Sequence, residues 1–173
     1  KLMIESLPKL TSLKSMELQL GETRISDKSI EALTQYTLSG INCLEGFELY
    51  VDNTRVSEKS IEEMFRVLKQ KIKNAKNLGF GFDGTKISDF TLELLTKNII
   101  CSQTEIENLG FSLFNTQVTD RGMEKLFISL KKAMKKAKVF TLDLGSTKIT
   151  HRSIEAFTEN TLSVMTDLET LEL

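Results

Sequence analysis

The sequence predicts an α/β fold in which short strands lie parallel in one sheet and helices cover one side of it. Three observations predict this fold: a long repeat of constant period, an alternation of apolar residues in the first half of each unit, and a helical spacing in the second half. Thr23, Thr54, Thr85, Thr116 and Thr147 are evenly spaced, each thirty-one positions after the last. The positions 7, 5 and 3 before each Thr, and 2, 7 and 10 after it, are apolar in all thirty cases. A chain that is 40% apolar would supply about twelve by chance.

Residues 1–12 form a partial unit, because Leu2, Met3, Leu7 and Leu10 match Leu33, Thr34, Leu38 and Ile41 in the helical half of the next one. Five units follow, each centred on its Thr. Their strands are marked by period-two triplets such as Met16, Leu18, Leu20 and Phe47, Leu49, Val51, which place apolar side chains on one side. After each Thr the spacing lengthens. Ile61, Met64, Phe65, Leu68, Ile72 and Ala75 run i, i+3, i+4, i+7, i+11, i+14, the stripe of a helix. Between strand and helix stands Ser26, Ser57, Ser88, Thr119 or Thr150, usually followed by an acid. Hydroxyls and carboxylates there can accept the unpaired N–H groups of the helix start and suit its positive end. Residues 168–173 begin a last strand with Leu171 and Leu173. One such unit cannot bury its apolar face alone, so the units must stack. The Thr column then falls where each strand bends toward its helix, and its hydroxyls can pair with backbone groups freed by the bend.

The pattern L-x-L-x-x-T-x-[IV]-[ST]-[DE], as in LQLGETRISD and, with Phe for Leu, FGFDGTKISD, resembles the leucine-rich repeat of the longer, helix-bearing, ribonuclease-inhibitor-like type. The resemblance implies a single domain over residues 1–173. It would be a curved solenoid with the parallel sheet on the concave face and helices on the convex face. Two features depart from the pattern: the unit is longer than the usual span of roughly 20–29 residues, and Thr stands where many members carry Asn or Cys. They bear on curvature rather than on fold.

Charge and composition exclude several function classes. Lys and Arg number 23 against 24 Asp and Glu, a net charge of −1, which suits neither a disordered tail nor a basic nucleic-acid arm. No apolar run approaches the ~18 residues of a membrane span, and the N-terminus lacks the layout of a signal peptide. Two Cys and one His leave little for a metal site. Cys43 and Cys101 fall in units two apart, too distant for a disulfide, and are expected as reduced thiols. That points to an intracellular protein, cytoplasmic or cytoskeleton-associated. No phosphate loop, nucleophile elbow or metal-ligand spacing is present, and His151 stands alone at a helix start. The chain therefore reads as no enzyme, with no cofactor.

A second period, twice as long, runs beneath the first. Nine residues before each Thr the chain reads Lys14, Glu45, Lys76, Glu107 and Lys138, then Glu169, six charges of alternating sign. Eleven after it come Thr34, Phe65, Thr96, Phe127 and Thr158. The charges are expected to fix which unit type sits beside which. Two helices are expected to be basic, one through Arg66, Lys69, Lys71, Lys73 and Lys76, the other through Lys131, Lys132, Lys135, Lys136 and Lys138. Such a ridge can meet an anionic surface, though a solvated helix face is the simpler reading, and the ridge lacks the aromatic residues that single-stranded nucleic acid would need. Arg24, Arg55, Lys86 and Lys148 follow the Thr column and are expected to pair with Asp27, Glu58 and Asp89.

Members of the resembled family commonly bind proteins on the concave sheet. There this sequence offers Glu17 and Gln19, Glu48 and Tyr50, Gly79 and Gly81, Gly110 and Ser112, Thr141 and Asp143. The glycines suggest a bare floor that a partner's backbone can approach, and Tyr50 is the one aromatic anchor. The chain opens inside a helix and closes inside a strand without capping elements, which suggests a segment of a longer array or ends covered by other subunits. The leading expectation is a non-catalytic protein-binding or structural scaffold in a larger assembly, with end-to-end stacking as one route. The alternatives are the recognition arm of a multidomain enzyme or ubiquitin-ligase adaptor, and an anionic-surface binder.

Overall fold

A computed structural model of the chain describes residues 11–173; the partial unit's Leu2, Met3, Leu7 and Leu10 lie outside them. Six strands form one all-parallel sheet in sequential order: β1 (Ser15–Gln19), β2 (Leu44–Tyr50), β3 (Ile72–Gly81), β4 (Asn108–Ser112), β5 (Val139–Asp143) and β6 (Thr170–Glu172). Five helices lie between them: α1 (Asp27–Ala32), α2 (Glu58–Lys71), α3 (Asp89–Asn98), α4 (Asp120–Ala133) and α5 (His151–Ala156). Ser15 pairs with Gly46, Gly46 with Asn77, Asn77 with Asn108, Asn108 with Val139 and Val139 with Thr170, and every step equals the interval of the Thr column. The sequence spacing is therefore the register of the sheet.

Within each strand the apolar set faces the helices. Phe47, Leu49, Phe80 and Phe140 are fully buried, and one core runs from Met16 to Met165. Phe80 lies at its centre, with ring centroids of Phe65 at 5.7 Å, Phe111 at 6.1 Å, Phe47 at 6.3 Å and Phe82 at 6.4 Å. Helix-facing rows take apolar residues because only burial offsets the cost of ordering them. Among the described residues the other side of the sheet carries no helix, and its side chains are largely half-buried or exposed.

At each strand end the residue before the Thr adopts the left-handed conformation: Glu22, Asn53, Gly84, Asn115 and Ser146 have φ between 53° and 64°. Gly84 also leaves room for a neighbour, since a Cβ there would lie 2.0 Å from Asn53 Oδ1 and would displace that side chain. The Thr hydroxyls close these turns. Each donates to the carbonyl three residues back, as from Thr54 to Val51 at 2.6 Å and from Thr116 to Leu113 at 2.7 Å. Thr23, Thr85 and Thr147 do the same toward Leu20, Phe82 and Leu144.

The helices differ in kind. Units bearing Phe65 and Phe127 hold unbroken 14-residue helices. Units bearing Thr34 and Thr158 hold six-residue helices that widen into a π turn and end in a 3₁₀ turn. Thr34 and Thr158 each donate to the carbonyl four residues back, at 2.8 and 2.9 Å, a bond that competes with regular helix geometry. Where Phe stands instead, its ring is fully buried and the helix runs on.

One expected helix is shorter than the periodicity suggested. α2 stops at Lys71, and Ile72 and Ala75 reach the core from β3 instead. Between Leu44 paired with Ile72 and Gly46 paired with Asn77, β3 spends three more residues than β2. Asn74 takes φ 54° in this bulge, and the Ala75 N–H donates to buried Gln103 Oε1 at 2.9 Å. A bulge returning two apolar residues to the core imitates a helical spacing. The Lys-rich stretches are accordingly not helical throughout: Lys73 and Lys76 lie on β3, and Lys135 and Lys138 follow the end of α4.

The alternating charges close in pairs rather than as a continuous ladder. Lys14 meets Glu45 at 2.9 Å on two exposed side chains, and exposed Lys76 meets half-buried Glu107 at 3.0 Å. Such pairs are worth ~0–1 kcal/mol. Glu45→Lys sets three bases side by side, and is expected to lower Tm by no more than about 2–4 °C, a difference that added salt should erase. An unchanged Tm at low salt would show that the pairs do not contribute.

Candidate functional site

Two ladders of polar residues flank the sheet, and they have different jobs. The first lies at the helix starts. Asp27 accepts from the Ser57 N–H at 2.7 Å, the Ser57 hydroxyl at 2.8 Å and the Ser60 hydroxyl at 2.9 Å. Glu58 accepts from the Ser88 N–H and hydroxyl at 2.7 Å each and from Thr91 at 2.8 Å. Asp89 holds the Thr119 N–H and hydroxyl, and Asp120 those of Thr150 plus the Ser153 hydroxyl at 2.6 Å. Each carboxylate thus ties its helix start to the next one.

This corrects the expected pairing of these acids with Arg24, Arg55, Lys86 and Lys148, none of which forms an ion pair among the described residues. The N–H and hydroxyl of a neighbouring cap form a closer, fixed set of donors than a long exposed base does. The signal was present in sequence: Ser or Thr recurs three residues after the column Thr, an acid follows it in four units of five, and Ser or Thr returns six after it in every unit but one. The exception is Gly122, where a Cβ would sit 2.4 Å from Asp89 Oδ1.

Hydrogen bonds from Ser153 and Thr150 hold the Asp120 carboxyl down at about 2, against an ordinary 3.8. Asp27 is also lowered: its burial works against this, but the bonds from Ser57 and Ser60 prevail. A carboxyl with a depressed folded-state pKa stabilises the fold above its unfolded value, and that stability is lost as pH falls through the folded one. Tm is therefore expected to decline as pH falls from about 4 toward 2, and the decline should be shallower in Asp120→Asn. Identical slopes in the two proteins would remove Asp120 from this role.

The second set of residues faces away from the helices. The register aligns Glu17, Glu48, Gly79, Gly110, Thr141 and Glu172 in one row, and Gln19, Tyr50, Gly81, Ser112 and Asp143 in the next. All ten residues expected on this face are brought together there, joined by Glu172. The floor is not bare, however. Tyr50 lies across it: a Cβ on Gly79 would be 2.7 Å from the Tyr50 hydroxyl, and one on Gly81 2.5 Å from its ring. The hydroxyl donates to Glu48 Oε2 at 2.8 Å, which fixes the ring in place. Glycine is required here to admit the protein's own tyrosine.

Beyond the ring opens a hollow of about 430 Å³, bordered by Tyr50, Gly110, Ser112, Thr141, Asp143 and Glu172. Burial pushes the Tyr50 phenol pKa up, and the Glu48 bond and the charges of Glu48, Glu17 and Asp52 add to this, so it remains a neutral donor. Burial likewise raises Asp52 against the lowering effect of the Asp83 N–H bond, and the charges of Asp83 and Glu22 add to the rise. Asp83 accepts from the Ser112 hydroxyl at 2.7 Å and from the Phe114 N–H at 2.9 Å. These turn acids were missed in the sequence because they stand outside the strand triplets.

The Lys-rich stretches are divided between ion pairs and solvent. Arg66 meets Glu62 and Glu63, Lys76 meets Glu107, and Lys136 meets Glu105 at 2.7 Å. Lys69, Lys73, Lys131, Lys135 and Lys138 are exposed and form no ion pair among the described residues. Cys43 and Cys101 are free thiols. No three His, Cys, Asp or Glu residues converge as metal ligands among the described residues, and no helix there is long and apolar enough to cross a membrane. Compared with protein-family models and with curated proteins, the chain matches none at a significant level.

Proposed function

We propose that the chain is a non-catalytic protein-binding scaffold of leucine-rich-repeat type. In this reading it is a solenoid whose uncovered sheet is concave and takes a partner, within a larger intracellular assembly of the cytoplasm or cytoskeleton. The observation that carries it is the open face itself. Six strands present two adjacent, aligned rows of polar, small and aromatic side chains, while every helix among the described residues lies on the other side. A fold that leaves one sheet face uncovered and furnishes it with a fixed aromatic residue offers a surface for recognition. The helix-start ladder and the Thr turns serve to hold those rows in place.

Tyr50 is the anchor of this face. Tyr50→Ala is expected to weaken partner binding by more than ~1 kcal/mol, about fivefold, read as the loss of proteins co-purifying with the native chain. An undiminished yield of partners would remove Tyr50 from the binding surface. The helix-side variant Ile128→Ala, at a residue 58% exposed, is expected to leave that yield unchanged.

A further inference from the structure

We propose that the open face takes an extended, Arg- or Lys-bearing segment of a partner protein, one basic side chain of which fills the hollow between Tyr50 and Asp143. This rests on the binding-face reading above and adds the chemistry of the partner to it. The charge distribution is the first support. The four outward rows, which begin at Ser15, Glu17, Gln19 and Gly21, hold twenty-two side-chain positions: six are Asp or Glu, and none is Lys or Arg. With 23 bases in 173 residues, about three would fall there by chance. The six acids are Glu17, Glu48, Asp52, Asp83, Asp143 and Glu172, and none forms an ion pair among the described residues. The ion pairs among the described residues all lie elsewhere.

Shape is the second support. Tyr50 is held down on Gly79 and Gly81 by Glu48, so its ring stands as a fixed wall of the hollow. Small residues, Gly110 and Ser112, form the floor, and Asp143 and Glu172 stand at the far side. An Arg or Lys side chain matches this sequence of surfaces, with an apolar stem to lay along the ring and a cationic head for the carboxylates. The spacing supplies a further constraint. Glu48 on β2 is three strands from Asp143 on β5, ~14 Å at ~4.8 Å per strand, which an extended chain covers in about four residues. Two bases four positions apart would reach both acids, Glu48 in one row and Asp143 in the next. Electroneutral and acidic segments gain nothing from this arrangement, and nucleic acid is repelled by it.

The test uses fluorescence anisotropy of a labelled dodecameric Ser/Gly peptide carrying two Arg four positions apart. The same peptide with Gln or with Glu in place of Arg serves for comparison. The Arg peptide is expected to bind at least about tenfold tighter than the Gln peptide at low ionic strength, with a steep loss on adding salt. The triple variant Glu48→Gln, Asp143→Asn, Glu172→Gln should lose about tenfold. Glu31→Gln, Glu124→Gln, Glu155→Gln, an equal charge change on α1, α4 and α5, should stay within about twofold. Circular dichroism checks that both variants keep the fold. Equal losses in the two triples would overturn the proposal, as would Gln or Glu peptides that bind as tightly, or no binding of the Arg peptide. If proteins still co-purify in a Tyr50-dependent way while the Arg peptide fails, the partner chemistry falls and the binding face stands. If both fail, both fall.

Discussion

Phe80→Ala is expected to destabilise the protein by about 3–5 kcal/mol, the cost of an aromatic side chain lost from a closed core together with the cavity it leaves. Phe80 is fully buried and packs against the rings of Phe82 just past the end of its own strand, Phe65 of α2, and Phe47 and Phe111 of the flanking strands. Collapse around the gap would require several parallel strands to move together, and their register resists that. Tm should fall by about 10 °C or more. Phe114→Ala, at a residue 44% exposed, provides the contrast and should change stability by less than about 1 kcal/mol. If the two variants melted alike, the core would not be centred on Phe80.

Glu58→Ala carries the second large effect, and it tests the helix-start ladder. One carboxylate oxygen of Glu58 accepts three bonds from the next unit, two from Ser88 and one from Thr91. Removing it leaves half-buried Ser88 and fully buried Thr91 without an acceptor, at a cost of about 2–3 kcal/mol. Glu93→Ala removes an exposed carboxylate paired with Lys125 at 2.9 Å and should cost less than about 1 kcal/mol. Chemical denaturation of the two variants separates them. Hydrogen exchange at the Ser88 amide should quicken only in the first. Equal destabilisation by both would mean that the ladder is no more than surface charge.

The parts of this fold that were legible in sequence are those where one side of the backbone must be dry. The period-two triplets located all the complete strands because each has one buried row, and the constant interval of the Thr column became the sheet register because parallel neighbours align residue for residue. The end of α2 was not legible. Ile72 and Ala75 obey a helical spacing, yet they are delivered by a bulge whose left-handed Asn74 has no unambiguous signature. The ladder of Asp27, Glu58, Asp89 and Asp120 was visible as a pattern but not as a connection, since an acid after a cap residue can serve its own helix, a nearby base or the neighbouring unit. Only the distance between stacked units decides among these.

For the open face, the sequence located each residue, because alternation alone assigns them outward. It could not show how Tyr50 lies. A glycine pair beside a tyrosine is compatible with an empty floor or with a covered one, and the register places Tyr50 beside Gly81 without fixing the ring's direction. The Glu48 bond decides that direction. The acidity of the face was likewise divided among residues read separately, since Asp52 and Asp83 belong to the turns and join Glu48 and Asp143 only in three dimensions.

Site-specific photo-crosslinking of the native protein tests the proposed binding face most directly. A photoreactive residue placed at Thr141 or Gln19, on the open rows, is expected to form adducts with another protein, whereas the same residue at Ile128 on α4 is expected to form none. Adducts confined to Ile128, or equal labelling at all three positions, would contradict the account and move the binding surface away from the sheet.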